Sequence, residues 1–242
     1  MNFLSAIGFL TILPVPSSAR NFDGRQVIYF PLVGLMIGGM LWSVDWALSR
    51  FAYEEIRIVG DVLFLAVITG AFHLDGLADT ADGFFSHRPK ERILEIMKDS
   101  RIGVMGVLAL IFCLIMKMSG IAGIKHPVSS LWFIIVPGLA RTAQVVGLTL
   151  VEHVNSQNAL AGNFYQRNNW TALLFCPLPV ALILFLDIAT GVIAILLFSL
   201  LVFGLFYFSK KIIGGITGDT LGATTEMVEA FFFIFAGLTI FF

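Results

Sequence analysis

The residues with the most chemical potential fall together in His73-Leu-Asp-Gly-Leu-Ala-Asp-Thr-Ala-Asp-Gly83. Continued as a helix, this stretch spaces Asp75, Asp79 and Asp82 at i, i+4 and i+7 and projects them from one face. Three like charges on one stripe repel, and a hard divalent cation coordinated by oxygen removes that penalty. A solvated acidic loop with a helix cap would account for one aspartate; three in register favour metal binding. Gly76, Ala78, Ala81 and Gly83 leave room for a bulky anion beside the carboxylates. Magnesium keeps waters and shares its coordination with substrate phosphates, so a diphosphate is the natural guest.

Two further clusters could serve the same chemistry. In Lys98-Asp-Ser-Arg-Ile-Gly103, just before an apolar run, Asp99 can cap a helix or bind metal, and Arg101 can clamp phosphate with two parallel hydrogen bonds. In the stretch 210–226, Lys210 and Lys211 precede Gly214, Gly215 and Gly218, which permit a tight loop whose amides could face an anion. A helix is expected from about Asp219, with Thr217 and Thr220 beside it and Glu226 on the face of Asp219. Lys210 and Lys211 could equally be membrane-edge anchors. His73 opens the aspartate motif and is a candidate substrate contact. Arg141 falls inside an apolar run, where an unpaired charge costs about 2.5 to 3.5 kcal/mol, so it needs an anionic partner in substrate or protein. Lys117 and Asp61 are read as structural.

Long helices must position these residues. The chain has 242 residues, 58% of them apolar and 13% charged, with 24 phenylalanines, too apolar for an ordinary soluble domain. Apolar runs of about 20 residues match a helix crossing the hydrocarbon core, and they do not alternate as barrel strands would. The expected fold is an all-α polytopic transmembrane bundle forming one domain over 1–242. It has about seven spans, at 27–48, 58–72, 103–123, 128–150, 171–188, 190–208 and 225–242, the second being the shortest, plus a short N-terminal interfacial helix. Met1 to Leu13 lacks the basic start and cleavage site of a signal peptide. Positive residues stay in the cytoplasm. With the N-terminus inside, Arg20, Arg25, Arg88, Lys90, Arg92, Lys98, Arg101, Arg167, Lys210 and Lys211 are inside and only Arg50, Arg57 and Lys125 outside. The polar connections 73–102, 151–170 and 209–224 then share the cytoplasmic side, and with them the active-site segments 73–102 and 209–226. Pro89 to Met97 reads as a short amphipathic helix. Gly34 and Gly38 let another helix approach closely, and Trp42, Asp45 and Trp46 read as an outer interfacial belt without chemistry. Cys113 and Cys176 are packing thiols. A net charge of −1 without a basic tract excludes nucleic acid as a partner.

At these motifs the sequence resembles the cobalamin-5'-phosphate synthase family, also called adenosylcobinamide-GDP ribazoletransferase. The strings that carry the resemblance are FHLDGLADTADGFFS at 72–86, ILEIMKDSRIGVMGVLAL at 93–110 and GGITGDTLGATTE at 214–226, with TILPVP near residue 14 and FPLVGLMIG at the first span. The resemblance covers the whole chain and is weakest at 151–170. It implies an enzyme of the prokaryotic cytoplasmic membrane that joins adenosylcobinamide-GDP to alpha-ribazole or alpha-ribazole 5'-phosphate with Mg2+ and releases GMP. On that reading Asp75, Asp79 and Asp82 hold metal, and Asp82 is named as base. Arg101, Arg141 and Lys211 set in-line geometry, and His73, Asp99, Lys210, Thr217, Asp219, Thr220 and Glu226 contact substrate. The aspartate spacing is also similar to that of the CDP-alcohol phosphotransferases, but their fourth aspartate and alanine-arginine pair are missing. A transporter of an anionic substrate is the competing class, although it usually gathers ionisable groups at the midplane of two related halves. A scaffold that merely anchors a soluble enzyme leaves the aspartate stripe unexplained. A homo-oligomer is left open by the sequence.

Overall fold

A computed structural model describes residues 2–19, 24–125, 129–154 and 170–239. Arg20, Arg167 and the greater part of the connection 151–170 lie outside them. Ten α-helices cover most of the described residues: α1 Asn2–Leu10, α2 Phe30–Phe51, α3 Glu54–Ile68, α4 Phe72–Phe84, α5 Lys90–Ile96, α6 Val104–Gly123, α7 Trp132–Leu150, α8 Pro177–Leu186, α9 Ile188–Ile213 and α10 Gly218–Leu238. Among the described residues the only β feature is one isolated bridge, between His153 and Ile216.

Five helices, α2, α6, α7, α9 and α10, are long and apolar enough to cross a bilayer, which makes this an integral membrane protein. The count is lower than the seven apolar runs suggest, for two physical reasons. The run at 58–72 belongs to α3, which breaks at Gly70 and Ala71, both in the left-handed region with φ near +60° and +56°, and α4 leaves at 88° to α3. Counted as one broken span, the pair brings the total to six. The run at 171–188 is divided into a 3-10 turn, Trp170–Phe175, and the ten-residue α8. The last span, by contrast, starts seven residues before its apolar run. The polar text TGDTLGATT is itself helical, opened by a reciprocal Thr217–Thr220 capping box.

Contacts at glycines fix how the spans are arranged. Gly34 and Gly38 of α2 lie against the α7 backbone at Pro137 and Ile134, where a Cβ on Gly38 would sit 2.6 Å from the Ile134 Cα. The two helices are therefore antiparallel and closely packed, as the small-residue spacing predicts. Gly120 and Gly123 of α6 meet the backbone of α10 near Phe233 and Gly237, so α6 and α10 run parallel. Most of α7 and α10 is buried, whereas α6 and α9 present broad apolar faces outward.

Smaller elements close the two ends. α1 is tucked in rather than merely interfacial: Ser5, Ala6, Ile7 and Leu10 are buried, and the Ile12 amide donates to the Ile68 carbonyl where α3 breaks. At the far end of α2, Trp42 and Trp46 are exposed as a belt requires, but Asp45 between them points inward and is fully buried against Arg57. α9 ends on Gly214 at φ +82°, and Lys210 and Lys211 occupy its last turn, where the helix dipole favours cations.

Candidate active site

α6 and α10 are parallel, so both direct their amino-terminal amides at one end of the bundle, and α4 lies across both. The crossing explains Gly76 of the acidic motif and the glycines at the start of α6. A Cβ on Gly76 would sit 2.8 Å from the Asp219 carbonyl oxygen and 3.0 Å from its Cα, so only glycine lets the first turn of α10 this close. One turn of α4 beyond Asp79, Asp82 meets the start of α6. The Gly103 amide donates to its Oδ2 at 2.6 Å and the Gly106 amide to its Oδ1 at 2.8 Å. Asp82 therefore caps α6 from a different helix, and a side chain on Gly103 or Gly106 would collide with it.

This changes the role expected of Asp82. A carboxylate bonded through both oxygens to the amides at a helix start is held in one orientation, with its oxygens already engaged by the protein. The remaining acids gather differently from a three-aspartate stripe. Asp79 is half-buried and faces Asp75, Asp219 and Asp82. Asp219 in turn faces Asp75 and Lys98. Because Thr217 is the N-cap of α10, the Asp219 carboxylate is not the cap the sequence allowed. The Thr217 and Thr220 hydroxyls accept from each other's backbone amides, and the Thr217 hydroxyl also bonds the Asp219 carboxylate. Among the described residues no group of three or more His, Cys, Asp or Glu side chains is placed to hold a metal ion.

The glycine-rich loop does not form the amide nest the sequence suggested. The Gly214 amide donates to the Lys210 carbonyl, the Ile216 amide to the Glu152 carbonyl at 2.8 Å and the Thr217 amide to the Thr220 hydroxyl. Val154 donates to Ile216 in return, so the loop is stitched to the segment after α7. Lys90, which the sequence left as a topology residue, places its Nζ over Gly214. Lys210 and Lys211 are exposed. Asp99 does not cap α6. It accepts from the Arg101 backbone amide and, through both oxygens, from the Arg101 guanidinium. Those bonds hold the Asp99 carboxyl down at about 2.

Three expected site residues lie elsewhere. His73 is buried, and the Gln144 amide donates to its Nε2 at 2.8 Å. Arg141 is 1% exposed and pairs with Glu229 of α10. Glu226 is buried against Lys117, whose Nζ is 2.6 Å from both Glu226 and Glu229. The partner demanded for Arg141 is thus a protein carboxylate, and neither Arg141 nor Glu226 is presented to a substrate. Glu229 and Gln144 were missed. Glu229 could have been found by the argument applied to Arg141, since a lone acid in an apolar run also needs a partner.

The side of α4 away from the acids carries Leu77, Ala81 and Phe84 and roofs an apolar cleft of about 360 Å³ bounded by α6, α9 and α10.

With the geometry described, comparison with known proteins decides the family. A model of cobalamin-5-phosphate synthase matches residues 2–237. The chain belongs to the cobalamin-5-phosphate synthase family. Its relatives include proteins named adenosylcobinamide-GDP ribazoletransferase. The one from Klebsiella pneumoniae subsp. pneumoniae is 36% identical over 96% of this chain and 98% of its own. Those from Caldanaerobacter subterraneus subsp. tengcongensis and Clostridium botulinum are each 36% identical, over 95% of both chains and 96% of both chains respectively. No solved structure matches. The three strings that carry the resemblance to cobalamin-5-phosphate synthases fold to one end of the bundle. The first is α4 and its flank, the second runs from α5 into α6, and the third is the loop and first half of α10.

Proposed function

We propose that this protein transfers the cobinamide phosphate of adenosylcobinamide-GDP to alpha-ribazole or alpha-ribazole 5'-phosphate and releases GMP. Relatives of that name along almost the whole chain support the reaction. The observation that carries the site is the meeting of α4 and α10 at Gly76, which brings Asp75, Asp79 and Asp219 from two helices to one face.

The ribazole 3'-hydroxyl attacks the phosphorus bonded to cobinamide. A phosphodiester bond forms, a phosphoanhydride bond breaks, and GMP departs with the electron pair. Asp75, Asp79 and Asp219 are hard oxygen donors of the kind that hold Mg2+; they are not drawn together into a ligand set by themselves, so the ion would share its coordination with phosphate oxygens and water, as Mg2+ ordinarily does. Bound there, Mg2+ would neutralise the diphosphate and stabilise the charge that develops on transfer. Asp82 fixes α6 beneath this face. The hydroxyl proton passes to Asp79, the carboxylate at the centre of the group, and Lys98 and Lys90 supply positive charge at its edge. Arg101, held by Asp99, presents its outer face to the solvent. We place this end in the cytoplasm, at the prokaryotic inner membrane, because the basic residues of the chain gather there.

Purified protein with Mg2+, adenosylcobinamide-GDP and alpha-ribazole should release GMP. Asp79→Asn and Asp219→Asn should each lower the rate by about 100-fold or more, as loss of a charged contact to a phosphoryl transition state does. An intact wild-type chain that releases no GMP sinks the reaction; full activity in both variants sinks the site.

A further inference from the structure

Four charged side chains meet in the interior of the bundle: Lys117 from α6, Arg141 from α7, and Glu226 and Glu229 from α10, none more than 4% exposed. Lys117 bridges both glutamates and Arg141 pairs with Glu229, so two cations balance two anions. Cohesion does not require them. The glycine contacts at Gly120 and Gly123 already pack α6 against α10, and buried ion pairs often yield to apolar residues of similar volume without loss of stability.

Orientation is a different matter. In a bilayer, lipid tails are as apolar as leucine, so an apolar helix face distinguishes poorly between protein and lipid. A helix such as α10 is then weakly specified in its rotation about its own axis. Charges specify it, because any other rotation strands Glu226 or Glu229 without a cation. Asp219 lies seven residues before Glu226, on the same face and two turns nearer α4. What fixes the rotation at Glu226 therefore fixes where Asp219 points. The other side of the site refers to the same helix. His73, in the first turn of α4, is bound by Gln144 of α7, three residues from Arg141.

We infer that Lys117, Arg141 and Glu229 are positioning residues: they lock the rotation of α10 against α7, and α7 in turn holds α4, so that Asp219 faces Asp75 and Asp79. This rests on the proposed site, and the test separates the two. The variant replaces all four, Lys117→Met, Arg141→Met, Glu226→Met and Glu229→Met together, so that the rotation lock is gone and no buried charge is left unpaired. Its α4–α10 geometry is read by copper-catalysed disulfide formation between Leu77→Cys and Ala223→Cys, two positions in one buried cluster, in a background without Cys113 and Cys176. The expected result is near-native melting, cross-linking slowed about tenfold as the sulfurs lose their alignment, and kcat down by about 100-fold, as a misplacement of 1 Å can do. KM should stay within about threefold, because substrate binding is not the interaction removed. Native cross-linking together with native kcat overturns the inference, and so does a raised KM with native cross-linking, which would make Arg141 a substrate contact. Melting that falls while cross-linking and kcat hold would reduce the cluster to cohesion and also overturn it. Cross-linking needs neither substrate nor metal, so a wild-type chain without turnover would remove the proposed reaction and leave this test standing.

Discussion

Replacing Asp82 separates a helix cap from a catalytic base. Asp82→Ala leaves the Gly103 and Gly106 amides without the oxygens 2.6 and 2.8 Å away. Loss of an N-cap is worth about 0.5 to 2 kcal/mol and a hydrogen bond to a charged group about 1.5 to 3. Together they predict a loss of about 2 to 5 kcal/mol. For a chain of this size that lowers the melting temperature by roughly 4 to 20 °C. Asp82→Asn keeps one acceptor oxygen, so it should lose only about 1 kcal/mol and stay within about tenfold of the native rate. Melting in detergent can be followed by thiol labelling of Cys113, which is buried on α6. The geometry also predicts coupling. A Cβ on Gly106 would strike the Asp82 carboxylate, so Gly106→Ala should be destabilising alone and better tolerated with Asp82→Ala, by about 1 to 3 kcal/mol in a double-mutant cycle. If Asp82→Ala melts as the native protein does, the cap is wrong. If Asp82→Asn keeps its melting temperature and loses about 100-fold or more in rate, Asp82 is a general base after all.

Gly76→Ala should lower turnover at least tenfold and destabilise by about 1 to 3 kcal/mol, because the new Cβ meets the backbone of Asp219, which cannot swing aside. Gly39→Ala, with nothing within 4 Å of its Cβ, should gain up to about 1 kcal/mol from helix propensity, and similar melting shifts in the two variants would count against the close crossing. Glu229→Gln leaves two buried cations facing one glutamate and should lose about 3 to 5 kcal/mol, measured as the fall in melting temperature; an unchanged value would refute the ion network. At the opposite end, Asp45 and Asp61 are both buried beside Arg57, which bonds Asp45 directly and stands 3.9 Å from Asp61. Asp61→Asn should therefore melt at or above the native temperature while Asp45→Asn melts lower, and the reverse order would contradict this reading.

The helices and the chemistry of the site differ in how legible they are in the sequence. Apolar runs mark α2, α6, α7 and α9 because lipid demands them, and the i, i+4, i+7 acids mark α4 because a helix repeats every 3.6 residues. The polar first half of α10 is invisible to hydropathy; its surroundings are the α4 and α7 backbones rather than lipid. The break between α3 and α4 gave one strong sign, Gly70, but the left-handed Ala71 gave none. Spacing places three aspartates on one stripe, yet it cannot say that one of them caps another helix, since Gly103 and Gly106 are 21 and 24 residues away. Asp219 stands out in the sequence by its loop, but what brings it to the acids is the missing Cβ of Gly76, a contact between segments more than 140 residues apart. The need of Arg141 for an anion is legible in its apolar run, but whether substrate or protein supplies it is not, and Glu229 of α10 is the partner.

The buried ion network also constrains how the chain is built. Synthesis proceeds from α6 to α10, so Lys117 and Arg141 enter the membrane before their partners exist. Arg141 precedes Glu229 by 88 residues, and Lys117 precedes Glu226 and Glu229 by 109 and 112. Until α10 is made, each cation in lipid would stand at about 2.5 to 3.5 kcal/mol above its paired state. Both helices remain long and apolar enough to enter the bilayer, so α10 arrives at two cations already waiting there for an anion. A chain cut before Gly218 would keep every residue of α6 and α7 and leave both charges without their carboxylates.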